Sequence, residues 1–262
     1  DSCPIGDGVI STLDTCIGFE ICEELWFSNS PHIDMGFDGV EIICNSSGSH
    51  YELRKTYYAI DLFKDATKKS GGVYMFANQR GCDGDRLYFN GCSSITLNGF
   101  VVARGKEFDL AEIEVVSHSV DLEDIRMYRN SIRSRTHAAA AVAPFPRIRI
   151  QYALSDVTDV KAPILKPIQW KLYSPEEEIA LGPACYLWDF LRRSGQGGYF
   201  LPLSGGRDSA SVACIVFSMC RLVCQAVAGK AHLAWFLCRG IACSVIGCSA
   251  QEFISCNKCS HN

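Results

Sequence analysis

The sequence predicts an α/β protein made of two modules, and three observations carry that reading. Over the first 150 residues, short apolar runs bounded by turn residues alternate with a stretch of helical periodicity. A proline-punctuated stretch follows. After it come a long helix, a short apolar run, a Gly-Gly loop and a second apolar helix, the order expected of a strand-loop-helix unit that opens a parallel sheet.

Residues 9–13 and 15–21 read as strands, and 40–44 as a short buried strand. Residues 50–69 place Leu53, Tyr57, Ile60 and Phe63 at helical spacing, with Gly71-Gly72 as the stop. Residues 73–77 are another buried strand, and 80–92, rich in Gly, Asp and Asn, form a loop. The segments 94–97 and 100–103 flank Asn98-Gly99. That dipeptide suits a type I′ turn, where both central residues need positive φ, so a hairpin is predicted. Residues 113–120 are a further strand, and Asp121 caps a helix running to residue 141.

Pro144, Pro146, Pro163, Pro167 and Pro175 mark an extended connector. A helix over 175–193 has Ser174 as its cap, Pro175 in its first turn, and Glu176, Glu177 and Glu178 beside its positive end. Residues 195–198 end it, 199–203 form a short buried strand, and 210–227 an apolar helix. The domain boundaries expected are therefore 1–150, a connector 151–174, a second module 175–227, and a tail 228–262.

Apolar residues make up 48% of the chain, enough for a substantial core. A net charge of −4 without Lys/Arg clusters argues against nucleic acid as a partner. Lys230, His232 and Arg239 interrupt the greasy stretch 226–250, so no membrane span is expected there, and residues 1–4 lack the features of a signal peptide. Fifteen cysteines, an odd number, point to reduced thiols and a cytoplasmic protein. None falls in 93–184 and eight fall in 214–259, so composition changes sharply towards the tail.

Two segments carry chemistry. Ser204-Gly205-Gly206-Arg207-Asp208-Ser209 lies between the expected strand and helix. Its glycines let backbone N–H groups approach a ligand, the helix N-terminus adds partial positive charge, and Ser204 and Ser209 add hydroxyls, which together make a phosphate site. Asp208 either caps the helix or orients the loop and a bound magnesium ion. The bland alternative is a Gly-rich turn with a Ser cap. The second segment is Ile21-Cys22-Glu23-Glu24-Leu25-Trp26, where Cys22 sits at a strand-to-helix passage. That position favours a thiolate nucleophile, whereas a cysteine met in isolation would more often be buried and structural.

The first loop resembles the SGGxDS loop of the N-type ATP pyrophosphatases, with Arg207 at a position often apolar there. The Cys22 segment resembles the nucleophile segment of nitrilase-type amidases. Asn78-Gln79-Arg80-Gly81-Cys82-Asp83-Gly84-Asp85-Arg86-Leu87-Tyr88, Tyr173-Ser174-Pro175-Glu176-Glu177-Glu178-Ile179 and Leu201-Pro202-Leu203 complete a set that, in this order, resembles the glutamine-dependent NAD synthetases over residues 5–228. The resemblance implies the C-terminal part of a nitrilase-type αββα sandwich, followed by the first strand-loop-helix of a Rossmann-like ATP pyrophosphatase domain.

It further implies that Cys22 is the glutaminase nucleophile and Ser204 a catalytic residue. Pro202, Leu203, Ser204, Gly205, Gly206, Arg207, Asp208 and Ser209 would bind ATP with Mg2+, and Ser49 and Arg54 would bind glutamine. Nicotinic acid adenine dinucleotide would be the acceptor, and a homo-oligomer or association with full-length subunits the assembly. For Ser49 and Arg54 the competing readings are a loop serine and a solvated helix arginine.

The family's base, a Glu, and its oxyanion Lys precede the nucleophile. The 21 residues before Cys22 contain no Lys, and their one Glu, Glu20, does not match the base. Only 53 residues follow Ser209. The expectation is therefore of impaired or absent activity, with a catalytically inactive splice or pseudogene-like paralogue as the alternative. Cys256, Cys259, His261, Cys248 and Cys243 fit no strong zinc pattern. His32, His118 and His137 are assigned to packing or surface.

Overall fold

A computed structural model describes residues 6–155 and 167–229; the predicted tail cysteines and His261 lie outside them. The chain divides into two units. The first holds residues up to Arg80 with Phe89–Glu107 and Ile113–Leu172, and the second Gly81–Tyr88, Phe108–Glu112 and the residues from Tyr173 onward. Residues 81–88 and 108–112 thus leave the predicted first module.

In the first unit the strands are β1 (Val9–Ser11), β2 (Cys16–Ile21), β3 (Ile42–Ser47), β4 (Val73–Asn78), β7 (Ser94–Leu97), β8 (Phe100–Arg104) and β9 (Arg147–Arg149). They form one sheet in the order β8-β7-β4-β3-β2-β1-β9. β2, β3 and β4 run parallel, with Phe19 opposite Cys44 and Cys44 opposite Met75. β7 joins antiparallel to β4 and β8 antiparallel to β7.

The expected hairpin is present. Asn98 and Gly99 have φ of 49° and 91°, as the turn chemistry requires. Helices α1 (Pro31–Phe37) and α2 (Lys55–Ser70) cover one sheet face, where Met35, Ile60 and Phe63 pack on Ile43, Tyr74 and Phe76. On the other face Ile125 of α3 (Leu122–Ser131) joins Val73, Ile95 and Val102. Phe19, Ile21 and Met75 on that face are exposed.

Several expectations are corrected. Helix α2 begins at Lys55, five residues late, because Arg54 has φ of 70° and cannot extend a helix backwards. The helix expected over 121–141 is two, α3 and α4 (Arg133–Ala139), broken at Ile132. The break lets two arginines point into the fold. Arg129 donates to the carbonyls of Gly39, Val40 and Gly71, and Arg135 to those of Gly36 and Ser70. Burial, with Arg135 nearby, pushes Arg129 down to about 10.

Residues 113–120 are extended but join no ladder; Val116 and Val120 pack instead against the α3 cluster. The expected loop 80–92 contains a two-stranded ribbon, β5 (Arg80–Cys82) with β6 (Tyr88–Asn90). α1 and β9 form in segments where the sequence pattern predicts no element.

In the second unit α5 (Pro175–Ser194) starts with the predicted cap. The Glu177 N–H donates to Ser174 Oγ and the Ser174 N–H to Glu177 Oε2, so two otherwise orphaned donors are satisfied. α6 (Arg207–Gly229) packs Val216, Met219 and Val223 on Ala184 and Trp188 of α5. By length and composition Arg207–Ala228 could also cross a membrane, and most of it is unburied here. Residues 199–203 are extended but pair with no strand among the described residues, so the parallel sheet expected there is not formed. Tyr199 instead donates its hydroxyl to the Leu187 carbonyl at 2.5 Å.

Candidate active site

Because β2, β3 and β4 are parallel, their C-terminal ends share one edge of the sheet. Cys22 follows β2 there, Ser47 ends β3 with Ser49 just beyond it, and Asn78 ends β4. Binding groups gather at such edges because the loops that leave the strands are free to vary while the strands hold them in place. Cys22 opens a 3-10 helix, Cys22–Trp26, with φ of 45°, a conformation that L-residues avoid. The Ile21 N–H donates to Glu24 Oε2 at 2.7 Å, closing the turn. The thiol is half-buried.

Glu20 lies 1% exposed beneath this elbow. Its Oε1 accepts the His32 backbone N–H at 2.5 Å and lies 2.9 Å from His32 Nδ1, while Oε2 accepts the Tyr74 hydroxyl at 2.6 Å. Burial alone would raise its pKa, but the bonds from His32 and Tyr74 hold it below the ordinary glutamate value. Burial and the Glu20 carboxylate push the Tyr74 phenol up. With both oxygens occupied and no water access, Glu20 is not placed to take a proton from substrate. His32, expected to be a packing residue, is its partner and also meets the Tyr74 ring edge-on at 5.7 Å.

The Ser49 N–H donates to Asn78 Oδ1 at 2.9 Å, and Asn78 Nδ2 to the Ser49 carbonyl at 3.0 Å. Ser49 borders a cavity of about 30 Å³ with Lys55, Thr56, Asn78, Asn90 and Cys92. That volume admits a water and not a glutamine side chain. Cys22 and Arg54 do not line it. The Arg54 guanidinium lies 3.8 Å from the centre of the Tyr57 ring. Cys22 and Ser49 therefore lie on one sheet edge, and the structure brings neither Cys22 nor Arg54 into the cavity beside Ser49.

Behind the cavity Glu107 accepts from Thr56 Oγ1 at 2.6 Å, Asn90 Nδ2 at 2.8 Å and Arg104 Nη2 at 3.1 Å. Arg104 also donates to Cys92 Sγ at 2.8 Å, yet burial still raises that thiol to about 11. No spacing in the sequence links Thr56, Asn90, Arg104 and Glu107; only the fold assembles them.

In the second unit Ser204, Gly205 and Gly206 form an exposed turn ahead of α6, with Gly205 at φ of 85°. The two hydroxyls of Ser204 and Ser209 are 3.2 Å apart, and Ser209 Oγ donates to the Gly206 carbonyl at 3.0 Å. Pro202, Leu203, Arg207 and Asp208 are exposed around them. Among the described residues no group of three His, Cys, Asp or Glu side chains could hold a metal ion. Asp208 is the one carboxylate within this loop.

The thiol of Cys22, on a strained strand-to-helix passage at the carboxyl edge of parallel strands, falls within a match to the carbon-nitrogen hydrolases. Residues 2–130 match the family model for that class. Over 87% of its length the chain is similar to glutamine-dependent NAD(+) synthetases. It is 59% identical over 227 residues to the one from Homo sapiens and spans 32% of it. It is 56% identical over 227 residues to the Saccharomyces cerevisiae protein, covering 85% of this chain and 32% of that one. The chain thus spans about a third of the length of these relatives.

Two solved structures share the fold. The glutamine-dependent NAD(+) synthetase of Cytophaga hutchinsonii is 21% identical with a TM-score of 0.58, covering 87% of this chain and 29% of its own. That of Acinetobacter baumannii, in complex with adenosine diphosphate, is 22% identical with a TM-score of 0.55, covering 82% and 33%.

Proposed function

We propose that this chain carries the thiol of a glutaminase module and the phosphate loop of an adenylating module, and serves glutamine-dependent NAD synthesis. In that reaction Cys22 Sγ attacks the glutamine amide, ammonia leaves, and a thioester remains that water hydrolyses to glutamate. ATP adenylates the carboxylate of nicotinic acid adenine dinucleotide and releases pyrophosphate. Ammonia then displaces AMP to give NAD.

The observation that carries this reading is Cys22 at positive φ on the carboxyl edge of the sheet, within a stretch of close relationship that runs on through the Ser204 loop. Ser49 and Arg54 are proposed to bind glutamine, the latter by a bidentate fork on its carboxylate once it turns from Tyr57. Residues 202–209 are proposed to bind ATP on the free N–H groups at the start of α6, with Ser204 on the reacting phosphates. Magnesium would arrive with ATP as substrate, and Asp208 is the carboxylate available to it. The proposed setting is the cytoplasm.

With Glu20 fully engaged and no Lys among the residues before Cys22, these 262 residues alone are expected to hydrolyse glutamine poorly or not at all. A homo-oligomer, or association with full-length subunits, is the proposed assembly. The test has two parts. A diazoketone analogue of glutamine should label Cys22, and glutamine should protect it; absence of label in a folded sample refutes the nucleophile assignment. NAD formation is then measured with Mg-ATP, nicotinic acid adenine dinucleotide, and either ammonium or glutamine. No turnover is expected from the chain alone, and turnover with either donor refutes the impairment.

A further inference from the structure

A buried carboxylate is costly to keep, and replacing it with apolar side chains is often neutral or stabilising. Glu20 takes no part in the proposed chemistry, yet every oxygen of it is used. Its partners lie 12 and 54 residues away, in the first turn of α1 and in β4. The network continues, for Asn45 Nδ2 donates to the Tyr74 oxygen at 2.9 Å and Ser47 Oγ to Asn45 Oδ1 at 2.7 Å. One carboxylate thereby ties the end of β2 to the helix after the elbow and to β4, two strands away, and through Tyr74 to Asn45 of the intervening β3.

Two residues on, Cys22 holds φ of 45°. Such a conformation persists only where the surroundings over-determine it. The backbone is fixed on the near side by Glu20 and across the turn by the bond from the Ile21 N–H to Glu24. Glu24 is partly exposed, so its bond competes with water; the three bonds to Glu20 are shielded.

We propose that Glu20 is a positioning residue: by tethering β2 to His32 and Tyr74 it holds the Cys22 elbow in its strained form, with the thiol set at the sheet edge before substrate arrives. This rests on the reading of Cys22 as the nucleophile. The residue acts through the backbone and touches no reacting atom.

The test compares the 262-residue chain with Glu20→Gln, Glu20→Ala and Tyr74→Phe, each checked for folding by circular dichroism. Two rates are read: amide hydrogen exchange at residues 21–24, and alkylation of Cys22 by iodoacetamide, with half-buried Cys44 as internal standard. Glu20→Ala should speed exchange at 21–24 and slow Cys22 alkylation relative to Cys44, each by about tenfold, as release of a strained local segment requires.

Glu20→Gln keeps the shape and one acceptor for His32, and should stay within about threefold of the parent. Tyr74→Phe, which removes one donor and keeps the ring, should fall between them. A purely structural Glu20 would move Cys44 together with Cys22. Folded Glu20→Ala with both rates unchanged overturns the proposal. If that variant does not fold, a folded Tyr74→Phe with unchanged rates overturns it equally. Failure of the diazoketone to label the parent at Cys22 would remove the nucleophile reading and leave the exchange result standing, so the two failures are distinguishable.

Discussion

Replacing Glu107 with Ala should destabilise the first unit by about 3 to 5 kcal/mol. The carboxylate side chain is 2% exposed and faces Arg104, itself 6% exposed, at 3.1 Å. Removing one partner of a buried ion pair leaves an uncompensated charge, a loss of about 3 to 5 kcal/mol. Arg104 keeps the Lys171 carbonyl at 3.1 Å and the Trp170 ring at 5.2 Å, which moves the charge term to the lower end. Thr56 and Asn90 each lose an acceptor, restoring about 1 kcal/mol apiece. Glu107→Gln keeps the shape and an acceptor oxygen, and should cost about 1 to 2 kcal/mol. Urea titration followed by tryptophan fluorescence and far-ultraviolet circular dichroism measures both. A Glu107→Ala variant within about 1 kcal/mol of the parent would show that the cluster is solvated and that the argument from burial fails.

Further outcomes follow from other contacts. Gly18→Ala puts a Cβ 2.5 Å from Met35 Sδ and 3.1 Å from Val40 Cγ1, so it should cost about 1 to 3 kcal/mol in the same titration unless α1 shifts. Ser174→Ala removes the cap of α5 and should lower stability by about 1 kcal/mol, with the loss confined to the second unit by hydrogen exchange. Cys92, held protonated in the fold up to about 11, releases its proton earlier when unfolded; the folded state binds more protons above the ordinary thiol value, so stability falls as pH rises through that window to about 11. Tyr74 and Tyr199, also raised, add to the fall at its upper end. Cys92→Ser should flatten the lower part of the decline in denaturation midpoints measured across it, and an unchanged slope would count against the shift.

What could be read in the sequence was what local chemistry decides. Asn98-Gly99 specified its hairpin, Ser174 with Glu177 the start of α5, the Cys22 segment its place at a strand-to-helix passage, and the Ser204 segment its place ahead of α6 though not behind a strand. What could not be read depends on distant partners. Glu20 looked like a misplaced base because nothing local shows that His32 and Tyr74 consume its oxygens. The break at Ile132 was hidden because the carbonyls that Arg129 and Arg135 reach lie about 60 to 100 residues back. Residues 199–203 have the composition of a buried strand, and a strand is realised only beside another one.

Arg129 and Arg135 bind main-chain oxygens and no acidic side chain, at the C-terminal ends of α1 and α2 and in the turns that follow them. Every amino acid that follows the same backbone path presents the same carbonyl. The residues forming those turns can therefore drift among relatives without weakening the bonds, provided the glycine at 71, with φ of 67°, keeps its shape. Two arginines would stay fixed while their partners vary. A search for correlated substitutions would pass over the contacts that join these turns, because only one side of each contact is written in the side chains.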